Sequence, residues 1–185
     1  MNRRDHLRAL LESHTPSDAY EAQHLERMLQ LCAVPGDPFS RNHFVPGHFT
    51  ASAFILSPDH SSTLLILHGK LHRWLQPGGH VDPDDLDIIA AARREVAEEV
   101  GLTHLPLAPG AAILDVDIHA IPPLKGDPGH LHFDVRVCFV ASTLEAAAGS
   151  DAKDARWVPL AEVGQWETDE SVLRVVRKLR EATRA

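Results

Sequence analysis

The sequence Arg94-Glu95-Val96-Ala97-Glu98-Glu99-Val100-Gly101-Leu102 carries the strongest structural signal in this chain. In a helix, Glu95, Glu98 and Glu99 lie at i, i+3 and i+4 on a single face. Like charges at this spacing repel one another by about a few tenths of a kcal/mol per pair. A hard divalent cation such as Mg²⁺ removes the repulsion, because it takes oxygen ligands and commonly shares its coordination shell with substrate phosphates. The three carboxylates therefore suggest phosphate or pyrophosphate chemistry.

A glycine-containing loop precedes this helix. The sequence from Trp74 to Val81 is a short apolar run interrupted by Pro-Gly-Gly, which is typical of a strand that enters a tight loop. Pro83-Asp84-Asp85 predicts the start of the helix, and Gly101 predicts its end in a left-handed conformation. An apolar stripe roughly opposite the glutamates predicts the buried side of the helix. The stripe consists of Ile89, Ala92, Val96 and Val100.

The loop, the acidic helix and the glycine stop resemble the signature of the Nudix hydrolases, G-x5-E-x7-R-E-U-x-E-E-x-G-U, in which U is aliphatic. The last nine positions, Arg94 through Leu102, match without exception. The first half departs from the pattern by one extra residue between Gly79 and Arg94. In the family the first glutamate of the pattern helps to brace the arginine. Asp85, or less directly Asp87, would replace it here.

The resemblance implies a metal-dependent hydrolase that cleaves a diphosphate bond in a nucleoside diphosphate linked to another moiety. It implies that the Gly79 carbonyl, Glu95, Glu98 and Glu99 bind Mg²⁺ or Mn²⁺ against the diphosphate, and that a metal-activated water attacks phosphorus in line. The candidate catalytic residues are Glu98, Glu95 and Arg94. The expected partner is a small-molecule diphosphate compound.

The general base varies across the family, so the spacing leaves it open. One of the glutamates would accept the proton, or an acid from outside the signature. Asp151 and Asp154 are candidates for the outside acid, although they also fit a solvated loop.

Two other functions stay open. The altered first acid is compatible with a Nudix-like nucleotide-binding module that has no turnover. An isomerase of isoprenoid diphosphates shares the fold, and it would need a catalytic cysteine in its pocket, a role that falls to Cys138.

Polar residues alternate with apolar ones in two later segments, so in strands each set shares one face. The first set is Asp115, Asp117 and His119, and the second is His130, His132 and Asp134. Antiparallel pairing would bring the two polar faces together, either as a water-facing surface or as substrate contacts or an additional site for Zn²⁺, Mn²⁺ or Fe. The best candidates for contact with a ligand are His119, His132 and Asp134. His80 directly follows the second glycine and is predicted at the rim of the pocket, where it would bind phosphate or orient water.

Strand-like runs alternate with helical ones, and the resemblance implies an α/β/α sandwich with a mixed sheet. We expect the Nudix domain over residues 46–185 and a short helical extension over residues 1–45. The extension has two amphipathic helices, at 3–13 and 18–32, with Ser17 as the expected N-cap of the second. Its apolar side fits either its own domain or a dimer interface, and because family members often form dimers we expect a homodimer.

The composition fits a globular enzyme that acts on small molecules. The chain has 185 residues, of which 44% are apolar and 24% charged. The formal charge of −8 argues against a surface that coats nucleic acid. The two cysteines fit buried thiols in a reducing compartment, and we recognise neither a signal peptide nor a transmembrane run. We therefore expect a cytoplasmic protein.

Overall fold

A computed structural model describes residues 2–110, 112–124, 126–146, 148–149 and 152–182. Its helices are α1 (Arg3–Ser13), α2 (Ala19–Leu31), α3 (Ile88–Val100) and α4 (Glu170–Ala182), with a short 3-10 helix at Val163–Gln165. Its strands are β1 (Gly47–Leu56), β2 (Ser62–His68), β3 (Trp74–Leu75), β4 (Gly78–His80), β5 (Asp115–Ile121), β6 (His130–Val140) and β7 (Ala152–Pro159).

Within the described ranges the strands form one mixed sheet in the order β3-β2-β1-β6-β5. The long central pair, β1 and β6, is parallel, whereas β5 runs antiparallel to β6. The short β4 pairs with the middle of β1, at residues 50–52, and β7 pairs with β2. The prediction of a mixed sheet is confirmed.

Helices cover both faces of this sheet. Alternate residues of a strand point to opposite faces, and accordingly Ala53 belongs to one apolar cluster and Phe54 to another. The first cluster contains the buried side of α3, including Val96. The second contains the buried side of α4, including Val175. The predicted α/β/α sandwich is therefore confirmed.

The signature helix begins later than its sequence suggests. α3 starts at Ile88 rather than at Pro83, and Asp87 is its N-cap, with a carboxylate that accepts a hydrogen bond from the Ala90 amide at 2.8 Å. The preceding acids form a separate turn, in which the Asp85 amide donates to the Asp82 carbonyl. The end of the helix is as predicted, because Gly101 has a left-handed φ of 70°.

The N-terminal helices pack against the sheet of their own chain. Apolar residues of both helices belong to the same cluster as α3. They include Leu7, Leu11, Met28 and Leu31. The N-cap of α2 is Asp18 rather than Ser17, since the Asp18 carboxylate accepts from the Glu21 amide at 2.8 Å. No helix in the described part of the chain is both long and apolar enough to span a bilayer.

Candidate active site

The Pro-Gly-Gly bend lies directly against α3. Gly79 pairs with Ala51 across the sheet, on the face that α3 covers. A Cβ atom at Gly79 would come within 2.7 Å of the Glu95 carboxylate, closer than van der Waals contact allows. This position needs glycine because the carboxylate approaches the backbone so closely.

Glu99 binds the backbone of the Pro-Gly-Gly bend. Its Oε2 accepts a hydrogen bond from the Gly78 amide at 2.9 Å, and the residue is only 8% exposed. The three glutamates therefore do not share one exposure. Glu98 is exposed, Glu95 is mostly covered and Glu99 is buried. The sequence places the three glutamates on one helix face, but their solvent exposure differs from one residue to the next.

Arg94 holds the acidic residues together. Its guanidinium donates to Glu95 at 2.9 Å, to Glu98 at 3.2 Å and to the His80 carbonyl at 2.8 Å. Asp85 accepts from Nε at 3.1 Å and from Nη2 at 3.0 Å. Of the two acids proposed to replace the missing glutamate, the structure thus places Asp85 on the arginine. The ion pairs raise the pKa of Arg94 against the opposing effect of burial.

Opposing influences act on the pKa of the Glu95 carboxyl. Burial raises the pKa of its carboxyl, the adjacent Arg94 lowers it, and the negative charge of Glu98 raises it again. The net shift is upward. A carboxylate that is desolvated beside a second acid favours a cation as its neighbour.

A model of the Nudix domain matches residues 46–179. The chain belongs to the Nudix family. The match confirms the assignment to the Nudix-type pyrophosphohydrolases. None of the curated proteins compared with the chain matches it.

Solved structures share the Nudix fold at low sequence identity. An Ap4A hydrolase from C. elegans, in a binary complex, has a TM-score of 0.55 at 19% identity over 73% of this chain and 96% of its own. A hydrolase of the Nudix family from Clostridium perfringens has a TM-score of 0.54 at 23% identity over 74% and 97%. The Nudix domain of NrtR from Shewanella oneidensis, in complex with ADP ribose, has a TM-score of 0.52 at 20% identity over 73% and 87%.

On the other face of the Nudix sheet, histidine rings form a contiguous group. His132 is paired directly with His48 of β1 and with His119 of β5. The ring centroids of His48 and His132 are 4.8 Å apart, and those of His119 and His132 are 5.4 Å apart. The His80 ring lies 5.1 Å from that of His48, and the His130 ring lies 5.0 Å from it. We refer to these five residues as the histidine cluster.

Burial keeps two members of the histidine cluster neutral. It lowers the pKa of His132 to about 2, with the neighbouring histidines adding to the shift. It lowers the pKa of His48 to about 4 in the same way. His119 is largely exposed, and its Nδ1 lies 3.4 Å from a carboxylate oxygen of Asp117.

The three aspartates of these strands, Asp115, Asp117 and Asp134, are buried, so the interpretation as a water-facing surface does not hold for them. Asp134 accepts hydrogen bonds from Thr50 at 3.1 Å, Ser52 at 2.7 Å and Arg136 at 3.0 Å. Both of its carboxylate oxygens are thus engaged by protein donors. The pairing of β5 with β6 does bring the two polar faces together, because Asp117 lies opposite Asp134.

Two buried arginines balance the negative charges of Asp115 and Asp117. The sequence analysis did not predict either arginine. Arg136, 2% exposed, and Arg174 of α4 both bind Asp115 and Asp117. Arg136 continues the alternation of polar residues along β6, so the period of two already marked it. The contribution of Arg174 had no local signal, since Arg174 lies 59 residues after Asp115 and 57 residues after Asp117.

The alternation along β1 also marked three polar residues that the sequence analysis did not select. His48, Thr50 and Ser52 are polar and alternate with buried Phe49 and Ala51. The three polar residues therefore share one face of β1, and the two apolar residues lie on the other.

The remaining candidates lie elsewhere. Asp154 belongs to β7 rather than to a loop, and its carboxylate accepts from Arg156 at 2.9 Å. Asp151 lies outside the described residues. Cys138 is buried in the apolar cluster of α4, and burial raises the pKa of its thiol to about 12. A thiol in this environment does not fit a catalytic cysteine, which argues against the isomerase.

Proposed function

We propose that this chain hydrolyses a diphosphate bond in a nucleoside diphosphate derivative, with Mg²⁺ or Mn²⁺ bound by Glu95, Glu98 and Glu99. The observation that carries the proposal is the gathering of acids around Arg94. The guanidinium binds both Glu95 and Glu98, and Gly79 leaves the space for the Glu95 carboxylate.

The donors at this site fit a hard cation. The side chains around the bend offer carboxylate oxygens, and the Gly79 carbonyl would add another, which is the ligand type of Mg²⁺ and Mn²⁺. When bound, such a cation neutralises the diphosphate and lowers the pKa of a coordinated water.

We assign the side chains of the site different roles according to their exposure and their contacts. Glu98 is the most exposed of the three glutamates, with a side chain 54% accessible, and we assign it the proton of the attacking water. Arg94 positions Glu95 and Glu98 relative to each other. Glu99 holds the Gly78 amide and so positions the bend. The ring of His80 points to the opposite face of the sheet, since His80 pairs with Thr50 rather than with Ala51.

The substrate class rests on chemistry and on the neighbours. The C. elegans protein is an Ap4A hydrolase, and the NrtR domain was crystallised with ADP ribose. Both compounds contain a nucleoside diphosphate linked to a second group. We therefore place the substrate of this chain among small nucleotide derivatives of that kind, and its acidic surface disfavours long nucleic acids.

The direct test is a panel of dinucleoside polyphosphates, nucleotide sugars and nucleoside triphosphates, each incubated with the wild type and Mg²⁺ or Mn²⁺. We expect metal-dependent release of phosphorylated products from at least one nucleotide compound. The Glu98→Gln variant should lose about 100-fold or more in rate on that compound. Glu162→Gln is the matched control, because Glu162 is exposed and makes no capping hydrogen bond.

Two results would contradict the proposal. One is the absence of hydrolysis across the panel by folded wild-type protein. The other is unchanged turnover in the Glu98→Gln variant, which would exclude Glu98 from the chemistry even if the chain is active.

A further inference from the structure

The histidine cluster contains a set of three side chains that converge on one point. One ring nitrogen each of His48, His130 and His132 lies within 4.8 Å of the other two. The register explains the convergence. His48 and His132 are direct partners in the parallel pair of β1 and β6, and His130 precedes His132 by two residues, so all three point to the same face.

This face is not the face of the signature helix. The neighbours of His48 and His132 in sequence, Phe49 and Phe133, belong to the apolar cluster that packs against α3. Because alternate residues point to opposite sides of the sheet, the three histidines lie across the sheet from Glu95 and its neighbours. They form a site separate from the carboxylates.

Two of the three rings have their tautomer set by the backbone. Nδ1 of His48 lies 3.3 Å from the His43 carbonyl, and Nδ1 of His130 lies 2.9 Å from the Pro128 carbonyl. A carbonyl oxygen only accepts, so Nδ1 carries the hydrogen in each ring and Nε2 carries the lone pair. This is the arrangement by which metal-binding histidines are usually oriented, with a carbonyl on one nitrogen and the ion on the other.

The lone pair of His48 has no partner among the described residues. His48 is fully buried, and its Nε2 makes no hydrogen bond. An unsatisfied buried acceptor costs about 1–3 kcal/mol. Its ring is surrounded by those of His80, His130 and His132. A cation at this point would satisfy the Nε2 atom and use the lone pair of His130 as well.

The chemistry of the donors selects the class of ion. Neutral imidazole binds Zn²⁺, Co²⁺, Ni²⁺ and Cu²⁺ and is a poor ligand for Mg²⁺. Three histidines with a fourth open position form a known coordination set for Zn²⁺. Tetrahedral bonds of about 2.1 Å place ligand nitrogens about 3.4 Å apart. The three nitrogens lie within 4.8 Å of one another, so binding would draw the partly buried rings of His130 and His132 closer to His48.

We propose that His48, His130 and His132 bind one transition-metal ion of the Zn²⁺ class at a site independent of the carboxylates. A phosphate subsite is the competing interpretation of the same rings. Inorganic phosphate is therefore one of the ligands tested.

The experiment uses the full chain after treatment with a chelator and removal of that chelator. Zn²⁺ is titrated by calorimetry into a Glu95→Gln/Glu98→Gln variant, so that the carboxylates contribute little. We expect one Zn²⁺ per chain with micromolar or tighter affinity. Co²⁺ should give the intense visible absorption of a four-coordinate ion rather than the weak absorption of a six-coordinate one.

In the same background, His130→Asn should weaken Zn²⁺ binding at least about tenfold, and so should His132→Asn. His104→Asn is the matched control, because His104 is exposed and has a positive φ of 55° that asparagine tolerates. It should bind Zn²⁺ as the parent does. Circular dichroism establishes that each variant is folded.

Three results would overturn the proposal. The first is no Zn²⁺ binding by the folded parent, and the second is unchanged affinity in both His130→Asn and His132→Asn. The third is binding of inorganic phosphate, abolished by these two substitutions, without binding of Zn²⁺. None of these outcomes depends on hydrolysis, so the proposal stands or falls separately from the proposed function.

Discussion

The Asp85 carboxylate accepts hydrogen bonds from two guanidinium nitrogens of Arg94, at 3.1 Å and 3.0 Å. Asp85 lies in a turn, three residues before the start of α3. The side chain of Asp85 is 8% exposed and that of Arg94 is 24% exposed, so the pair is partly shielded from solvent. The arginine in turn holds Glu95 and Glu98. Asp85 therefore acts on the carboxylates through Arg94 and is a positioning residue.

Asp85→Asn should reduce hydrolysis by about 10- to 100-fold, the usual effect of removing a partner that orients a metal ligand. The neutral amide cannot accept two charge-assisted hydrogen bonds, so Arg94 loses its fixed position. Steady-state rates as a function of Mg²⁺ concentration measure the effect. Raising Mg²⁺ should restore part of the activity of Asp85→Asn. The control is Asp84→Asn, which changes an exposed acid one residue away. Equal losses in both variants would refute a specific role for Asp85.

Gly79→Ala should abolish most of the activity while leaving the fold intact. The added methyl group would lie 2.7 Å from the Glu95 carboxylate, and the end of that side chain must move away. A displacement of about 1 Å at a reacting group costs about 100-fold in rate. Rates and thermal melting are measured together. Gly164→Ala is the control, because its added methyl group meets nothing within 4 Å. Full activity in Gly79→Ala would show that the close approach is unimportant.

Glu21 should make stability depend on pH below about 4.5. Burial alone would raise the pKa of this carboxyl, but hydrogen bonds from His14 and Lys178 outweigh it and lower the pKa well below the ordinary value. A group whose pKa is lower in the folded state stabilises the protein above its unfolded pKa, and this contribution is lost as the pH falls towards the folded pKa. The unfolded value is near 4.5. The wild type should therefore lose stability as the pH drops from about 5 to 2.

Glu21→Gln should cost about 2 kcal/mol of unfolding free energy at pH 7, less than a typical broken buried pair because Lys178 keeps Asp115 as a partner. As the pH falls from about 4.5 towards 2, the difference in stability between the variant and the wild type should shrink progressively. Urea denaturation across this pH range provides the measurement, and Glu12→Gln, an exposed acid on α1, serves as the comparison. A constant difference between Glu21→Gln and wild type at every pH would contradict the assignment.

Cys138 and Cys32 should be unreactive in the native protein. Burial raises the pKa of the Cys138 thiol to about 12 and that of Cys32 to about 11, so almost no thiolate forms near neutral pH. A chromogenic disulfide reagent at pH 8 should label both residues only after unfolding by guanidinium. Cys138→Ala should keep full hydrolytic activity at a modest loss of stability. Loss of activity in folded Cys138→Ala would revive a catalytic role for the thiol.

The sequence by itself indicated the family and the candidate site. Arg94, Glu95, Glu98 and Glu99 are held in place by the spacing of a single helix, and local spacing is visible in sequence because a helix repeats every 3.6 residues. The strand-like runs were likewise readable from the residues, whereas the mixed sheet was an implication of the family resemblance. The replacement of the missing glutamate was narrowed to Asp85 or Asp87 on the same basis.

Only the tertiary structure decided how these groups are used. It assigned Asp87 to the helix cap and Asp85 to Arg94, and it buried Glu99 while exposing Glu98. It also brought His48 beside His132, which lies 84 residues further along the chain, through the parallel pairing of β1 and β6. Such contacts depend on which strands become neighbours and in what register, and that choice is set by the packing of the whole core rather than by any local pattern.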